Sequence, residues 1–155
     1  MSAEDNARDL GLDLAKPATP MANYVPAVRT GNLVYLSGHV PPAAPDGSRP
    51  AGKVGADLDI DAAYQLARTV AVAMLASLRA EIGSLDRVTR VVKVLGMVNV
   101  TPDFTQHPRV VNGASDLLVE VFGEAIGKHA RTAVGVAGLP ANVPIEIEMV
   151  VEIAD

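Results

Sequence analysis

Arg131 is the residue whose type and setting most clearly indicate chemistry. It is the only charged residue in the run from Ala130 to Val136, which otherwise consists of Ala, Val, Gly and Thr. A guanidinium among small apolar residues is costly to bury unless an anion meets it. The run therefore predicts either an internal ion pair or a site that binds an anionic ligand.

Two acidic residues downstream could work with this cation. Residues 145–153 alternate between apolar and mostly acidic side chains, and this period of two predicts a half-buried strand. Glu146 and Glu148 share one face of that strand, roughly 7 Å apart. One of them could pair with Arg131 while the other meets water or another subunit. The spacing also fits a hydrolase with two carboxylates, although nothing else in the sequence indicates a sugar site.

The elements that position these residues follow from apolar periodicity and turn signals. The predicted order is β-β-α-β-α-β-β, which implies an α+β fold with a mixed sheet and both helices packed on one face. The predicted strands are Tyr24–Val28, Leu33–Val40, Val88–Val100 and two within Ala130–Glu152, and the helices are Ile60–Ile82 and about Pro108–Ala125.

Local signals sharpen two of these elements. Asp59, or alternatively Asp57, is a suitable N-cap for the first long helix, and Gly83 is suited to end it. In the second strand, strict alternation would place His39 with Tyr35, opposite the apolar Leu36.

One domain is expected. Residues 21–155 carry a continuous apolar pattern in a chain of 155 residues, which is long enough to bury a core. Residues 1–20 hold a short helical pattern over Ala3–Leu10 and then a linker with Pro17 and Pro20. We expect this segment to be a peripheral helical flap.

Composition bears on assembly and partners. The chain is 49% hydrophobic with only 3% aromatic residues, and its mean hydropathy of +0.24 is high for a monomer of this size. The apolar excess predicts an obligate homo-oligomer rather than a membrane protein, because no apolar run reaches the roughly 18 charge-free residues of a membrane span. A net charge of −5 argues against a nucleic-acid partner.

Several other kinds of site are not expected. The chain has no cysteine, so a thiolate nucleophile and cysteine metal ligands are excluded. His39, His107 and His129 are too dispersed for metal-ligand spacing, and the glycines form no phosphate-binding motif. The acidic N-terminus lacks the apolar segment of a signal peptide, so we expect a cytoplasmic protein.

Four segments together resemble a known family. The block Leu36–Pro41, preceded by Tyr24 and by Gly31-Asn32, is similar to the "Y…GN…SGQ-P" block of the Rid family, the YjgF-type proteins often labelled endoribonuclease L-PSP. The remaining segments follow in the same order as in that family. They are Gly83–Val88, then Asp103-Phe104 with Asn112, and finally Ala130–Thr132 with Leu139-Pro140 and Ile145–Glu148.

The resemblance implies a chorismate-mutase-like α+β subunit that assembles as a homotrimer around a central barrel, with clefts between subunits. Well-known members hydrolyse reactive enamines and imines, such as 2-aminoacrylate, to 2-oxo acids and ammonia without a cofactor. A small carboxylate-bearing metabolite is therefore the expected partner. A non-catalytic protein that binds 2-oxo acids is the alternative, and ribonuclease activity fits the acidic composition least well.

The resemblance also assigns roles by position. Arg131 would clamp the substrate carboxylate, Glu146 would orient or activate water, and Tyr24 would wall the pocket. Two departures from the family bear on the substrate rather than the fold: alanine at 133 stands where well-known members have cysteine, and histidine at 39 where many have glutamine. The residues expected to line the cleft are Ser37, Gly38, Asn112 and Ala133.

Overall fold

Five strands form one mixed sheet in the computed structural model, which describes all of residues 1–155. Four neighbouring pairs give the order β1-β2-β5-β3-β4, and only β3 and β4 run parallel, because a long helix connects them. The predicted mixed α+β sheet is confirmed. The strands are β1 (Ala27–Thr30), β2 (Leu33–His39), β3 (Val88–Asn99), β4 (Ala130–Val136) and β5 (Ile145–Ile153).

Three helices accompany the sheet: α1 (Ala3–Asp9), α2 (Ile60–Ile82) and α3 (His107–Gly127). The predicted bounds of α2 are confirmed, since Asp59 accepts a hydrogen bond from Ala62 N at 2.8 Å and Gly83 follows the last turn with a φ of +84°. Gly123 interrupts α3 with a φ of +76°, so its last turn is set off from the rest.

The core lies between one face of the sheet and helices α2 and α3. Ile145, Ile147, Met149, Val151 and Ile153 of β5 all point into it and are at most 1% exposed. The alternation predicted for this strand is confirmed, and both long helices pack on the same face of the sheet.

One glycine allows α3 to pack closely against α2, and another allows α3 to pack closely against the sheet. A Cβ at Gly113 of α3 would overlap the carbonyl oxygen of Tyr64 in α2, and a Cβ at Gly96 of β3 would overlap Val111 of α3. The glycine at 113, which is unfavourable within a helix, is thus explained by close packing between the helices.

The opposite face of the sheet has no covering element. Val28, Tyr35, Val92 and Val134 are between 37% and 51% exposed there or at its edges. A shallow cavity of about 250 Å³ lies on this face, with Lys93 and Glu148 among its lining residues.

The N-terminal helix packs against the rest of the chain. Ala7 is 2% exposed and belongs to the main core, and Asn6 Nδ2 donates to Val121 O of α3 at 2.8 Å. The Glu4 carboxylate accepts from Leu85 N at 2.9 Å and from Arg79 Nε at 3.0 Å. Residues 3–9 are therefore anchored at several points.

The alternation predicted for β2 is wrong at His39. The pairing of β2 with β5 shifts register between Leu36 and His39, so a bulge places His39 on the core side, where it is 4% exposed. The first strand also differs from its predicted range, because it starts at Ala27 rather than Tyr24. No helix combines the length and the apolar character that crossing a bilayer would require.

Candidate functional site

Arg131 is held on the helix side of the sheet by residues of α3. It pairs across the sheet with Val94, a fully buried residue of β3, and so faces α3. Its Nη1 donates to Asn112 Oδ1 at 2.8 Å and to Ser115 Oγ at 3.1 Å. Asn112 and Ser115 are three residues apart and therefore lie on the same face of the helix.

The rest of the guanidinium has no partner in the chain. Nε and Nη2 make no hydrogen bond to the protein, and Arg131 takes part in none of the five ion pairs. No fully buried side-chain nitrogen or oxygen lacks a partner, so these two nitrogens must reach solvent. A partly buried arginine with one nitrogen anchored and two donors free can bind a carboxylate.

Glu146 lies on the other face of the sheet. It pairs with Met97 of β3, three residues from Val94, and successive residues of a strand alternate between faces. Burial, and secondarily the charge of Glu148, raises the pKa of the Glu146 carboxyl above its usual range. This carboxyl can therefore hold a proton more readily than an exposed glutamate.

Arg131 and Glu146 do not meet within one chain. They are on opposite faces, and β3 separates their strands. The same geometry excludes an internal ion pair between Arg131 and Glu146 or Glu148, which the sequence had left open. A site using both residues requires two copies of the chain.

Gly38 brings β2 against the Glu146 carboxylate. A Cβ at residue 38 would overlap Glu146 Oε1, so only a glycine leaves room for the carboxylate in this position. Ser37 is next to it, and its hydroxyl donates to Val25 O at 2.6 Å. Gly38 and Glu146 thus form one cluster, at the end of β2.

Tyr24 and Gly38 both line a cavity of about 300 Å³. Residues 16–21 and 140–143 form much of its wall, and Lys16 and Arg49 are its charged residues, with no carboxylate among the lining. Tyr24 is 49% exposed, and its hydroxyl oxygen accepts a hydrogen bond from Met21 N at 3.5 Å. Gly38 is thus shared between this cavity, which Tyr24 also lines, and the contact with Glu146, which does not line the cavity.

His39 also borders this cavity but is held by its own contacts. Its Nδ1 lies 2.6 Å from Ser37 O and its Nε2 lies 2.8 Å from Ser77 Oγ on α2. Burial lowers the pKa of its imidazole below the ordinary value, so the ring is neutral near pH 7. The histidine at this position therefore links β2 to α2.

Ala133 lies two residues beyond Arg131 and shares its face. It pairs with Gly96 and is partly buried against the core. Together Arg131, Asn112 and Ala133 form a second cluster. This cluster is on β4 and α3, three strand positions from β2, or roughly 14 Å across the sheet.

Two polar residues beside Arg131, Ser115 and His129, were not among the predicted site residues. Ser115 Oγ lies 3.0 Å from His129 Nε2, and His129 Nδ1 lies 2.6 Å from Gly127 O. The spacing of Asn112 and Ser115 on one helix face was the available signal for Ser115. The contact of His129 with Ser115 depends on the turn between α3 and β4, so local spacing could not predict it.

Comparison with known proteins agrees with this architecture. A family model described as "YjgF/chorismate mutase-like, putative endoribonuclease" matches residues 4–153. Protein TCP17 of Trypanosoma cruzi is 42% identical over 148 residues, which span 96% of this chain and 92% of that protein.

Two solved structures are similar along their whole length. Atu1372 from Agrobacterium tumefaciens, a protein of unknown function, is 41% identical with a TM-score of 0.85, over 98% of this chain and 92% of that one. A Shewanella oneidensis MR-1 protein, also given an endoribonuclease description, is 30% identical with a TM-score of 0.90, over 99% and 100% of the two chains. With the sequence model and the fold in agreement, this chain belongs to the YjgF/chorismate mutase-like family, also known as Rid, and has its α+β fold.

Proposed function

We propose that this protein is a hydrolase that deaminates enamine and imine intermediates bearing a carboxylate, such as 2-aminoacrylate, to 2-oxo acids and ammonia. The proposal rests on the hydrogen bonding of the Arg131 guanidinium. One of its nitrogens is anchored by Asn112 and Ser115, and the other two are free of protein acceptors. This arrangement suits a two-point contact with a substrate carboxylate.

The proposed active site lies between subunits of a homotrimer. Arg131 and Glu146 are on opposite faces of the sheet, so they can act on one substrate only if neighbouring chains supply them. The uncovered sheet face, with Val28, Tyr35 and Val134 exposed, supports an interface on that side. Family membership supports the same assembly.

The chemistry needs positioning and modest proton transfer. Arg131 of one subunit holds the carboxylate, while Gly38 and Tyr24 of the next enclose the reactive end. A proton from solvent, delivered through the Glu146 carboxyl, adds to the enamine carbon and gives the imine. The Glu146 carboxylate then takes a proton from a water molecule whose oxygen adds to the imine carbon, giving a carbinolamine. The amino nitrogen is protonated, and the C–N bond breaks as the carbinol oxygen loses its proton and forms the C=O bond, which releases ammonia and the 2-oxo acid.

Replacing Arg131 tests the proposal directly. Arg131→Ala should lose at least a hundredfold in turnover of freshly generated 2-aminoacrylate, because the substrate loses a charge-assisted contact of about 3 kcal/mol. Release of 2-oxo acid is measured with a coupled assay, and the oligomeric state by light scattering. Arg109→Ala is the matched control, because Arg109 is exposed and bonds only to Gln106 of its own helix. Near-normal turnover by Arg131→Ala would contradict the proposal.

A second candidate is a non-catalytic protein that binds 2-oxo acids. The observation that favours it is Ala133, a methyl group where well-known relatives carry a thiol. Such a protein would bind 2-oxobutyrate through Arg131 and would not hydrolyse imines. Calorimetry and the deaminase assay on the same preparation separate the two candidates.

The relatives' endoribonuclease description raises a third activity. A chain with a net charge of −5 offers little attraction for a phosphate backbone. In addition, His39 and His129 each have both ring nitrogens engaged by hydrogen-bond partners. RNA cleavage that persists in Arg131→Ala after further purification would support this activity over deamination.

A further inference from the structure

The contacts around Arg131 settle the direction of a chain of hydrogen bonds. Gly127 O can only accept, so His129 Nδ1, 2.6 Å away, carries the hydrogen. In the neutral ring Nε2 is then an acceptor, and the hydroxyl of Ser115 donates to it over 3.0 Å. The lone pairs of Ser115 Oγ remain for Arg131 Nη1, which donates over 3.1 Å.

Burial and a neighbouring positive charge favour the neutral form of His129. Burial lowers the pKa of its imidazole below the ordinary value; the hydrogen bond to Gly127 O partly opposes this shift, and the positive charge of Arg131 on β4 adds to it. Lys128, the adjacent residue in the chain, is paired with Glu124 at 2.8 Å. On α3, the carboxylate of Asp116 accepts from the hydroxyl of Tyr64 at 2.8 Å.

We propose that Ser115 and His129 are positioning residues for Arg131, a role that rests on the proposed function. His129 holds the Ser115 hydroxyl in one rotamer, and Ser115 together with Asn112 holds Nη1. The rotation of the guanidinium about its own axis is thereby set, so that Nε and Nη2 are the donors presented to a carboxylate. Neither residue touches the substrate.

Binding of a carboxylate should change the pKa of the His129 imidazole. The anion offsets the charge of Arg131, so the imidazole becomes easier to protonate and its pKa rises on binding. Because the coupling is reciprocal, the ligand binds more tightly as the pH falls through the titration of His129. A histidine with a merely structural role away from the site would not respond to the ligand.

The first experiment uses the protein without ligand. Nitrogen NMR of the imidazole should show the neutral Nδ1–H tautomer for His129, and Arg131→Gln should raise its pKa because a positive charge is removed. Arg109→Gln, a change of the same charge on the outer surface, should leave it unchanged. An Nε2–H tautomer, or a His129 that titrates identically in Arg131→Gln, would overturn the proposal.

The second experiment uses 2-oxobutyrate as the probe. Calorimetry should show binding to Ser115→Ala weakened about tenfold, since a hydrogen bond to a charged group is lost. Ser115→Thr, which keeps the hydroxyl, should recover most of the affinity. Equal affinity in wild type and Ser115→Ala, with equal thermal unfolding midpoints, would refute the positioning role. If Ser115→Ala does not fold, titration of His129 in the wild type with and without the probe decides instead.

The outcomes separate this inference from the proposed function. If the wild type neither binds 2-oxobutyrate nor hydrolyses imines, the proposed function fails. The coupling of His129 to Arg131 in the ligand-free protein then decides whether the hydrogen-bonded chain exists. If the wild type is active but Ser115→Ala is indistinguishable from it, the function stands and the positioning role falls.

Discussion

At the residue scale, Gly38 offers the sharpest test of the Glu146 cluster. Gly38→Ala should lower turnover at least tenfold, because the new methyl group would occupy the position of Glu146 Oε1 and push the carboxylate aside. The backbone at 38 is not among those with positive φ, and the displaced group is the end of a flexible side chain. The free energy of unfolding should therefore change by less than about 1 kcal/mol in urea denaturation.

Gly31→Ala provides a contrasting variant for that measurement. Nothing lies near a Cβ at residue 31, but its φ of +57° makes a side chain strained. This variant should lose stability and retain turnover per folded molecule. Full activity in Gly38→Ala would show that the position of Glu146 does not matter to the reaction.

His39 makes stability depend on pH. Burial lowers the pKa of its imidazole in the folded protein, whereas in the unfolded chain this group titrates near the ordinary histidine pKa of about 6.5. Below about pH 6.5 the unfolded state therefore binds more protons than the folded state. The contribution of His39 to the free energy of unfolding is fully present above that pH and decreases as the pH falls below it. We expect the urea midpoint to decrease from pH 7.5 to pH 5.5.

His39→Gln should reduce that dependence. The glutamine amide can bond to Ser77 as the imidazole does, but it does not titrate, so the midpoint should change less between the two pH values. The pKa of His129 is shifted in the same direction, so this residue will add to the pH dependence. An identical pH dependence in His39→Gln would assign the effect to other groups.

At the scale of elements, the crossing of α2 and α3 determines where Asn112 and Ser115 meet Arg131. Gly113→Ala should destabilise the fold by about 1–3 kcal/mol, because its Cβ would overlap the carbonyl oxygen of Tyr64, a backbone atom that cannot rotate away. Urea unfolding measures the loss. Ala125→Gly, at an exposed position near the end of α3, is a control for small changes in helix propensity.

A stabilising or neutral Gly113→Ala would show that the two helices can separate at no cost. In that case the anchoring of Arg131 Nη1 by Asn112 would not depend on this crossing. The opposite result, a destabilised variant with weakened 2-oxobutyrate binding at temperatures where it is folded, would link helix packing to the site.

At the scale of the whole molecule, a substitution on the uncovered sheet face should disrupt both the assembly of subunits and the activity. Tyr35→Lys or Val134→Lys places a charge on this face, where the native residues are 47% and 39% exposed. We expect light scattering to show smaller species and the deaminase assay to show loss of turnover, because Arg131 and Glu146 would no longer meet. Leu10→Lys, at a 40% exposed position after α1, should change neither. An active monomer would contradict an inter-subunit site.

Much of the fold could be predicted from local pattern. The bounds of α2 followed from Asp59 and Gly83, because a capping side chain and a left-handed glycine act on neighbouring backbone. The alternation of β5 predicted its buried face for the same reason, since side-chain direction along a regular strand depends only on position. Arg131 could be recognised because a lone charge in an apolar run is unusual wherever the strand lies.

Other features were decided only by the tertiary structure. The bulge in β2 turned His39 inward, and pairing across β3 put Arg131 and Glu146 on opposite faces. Ser115 and His129 came to Arg131 through the packing of α3 on the sheet. Register and helix packing depend on contacts between residues distant in the chain, so no local pattern contains them. The sequence alone therefore determined which residue could bind an anion, and the fold decided which side chains surround it.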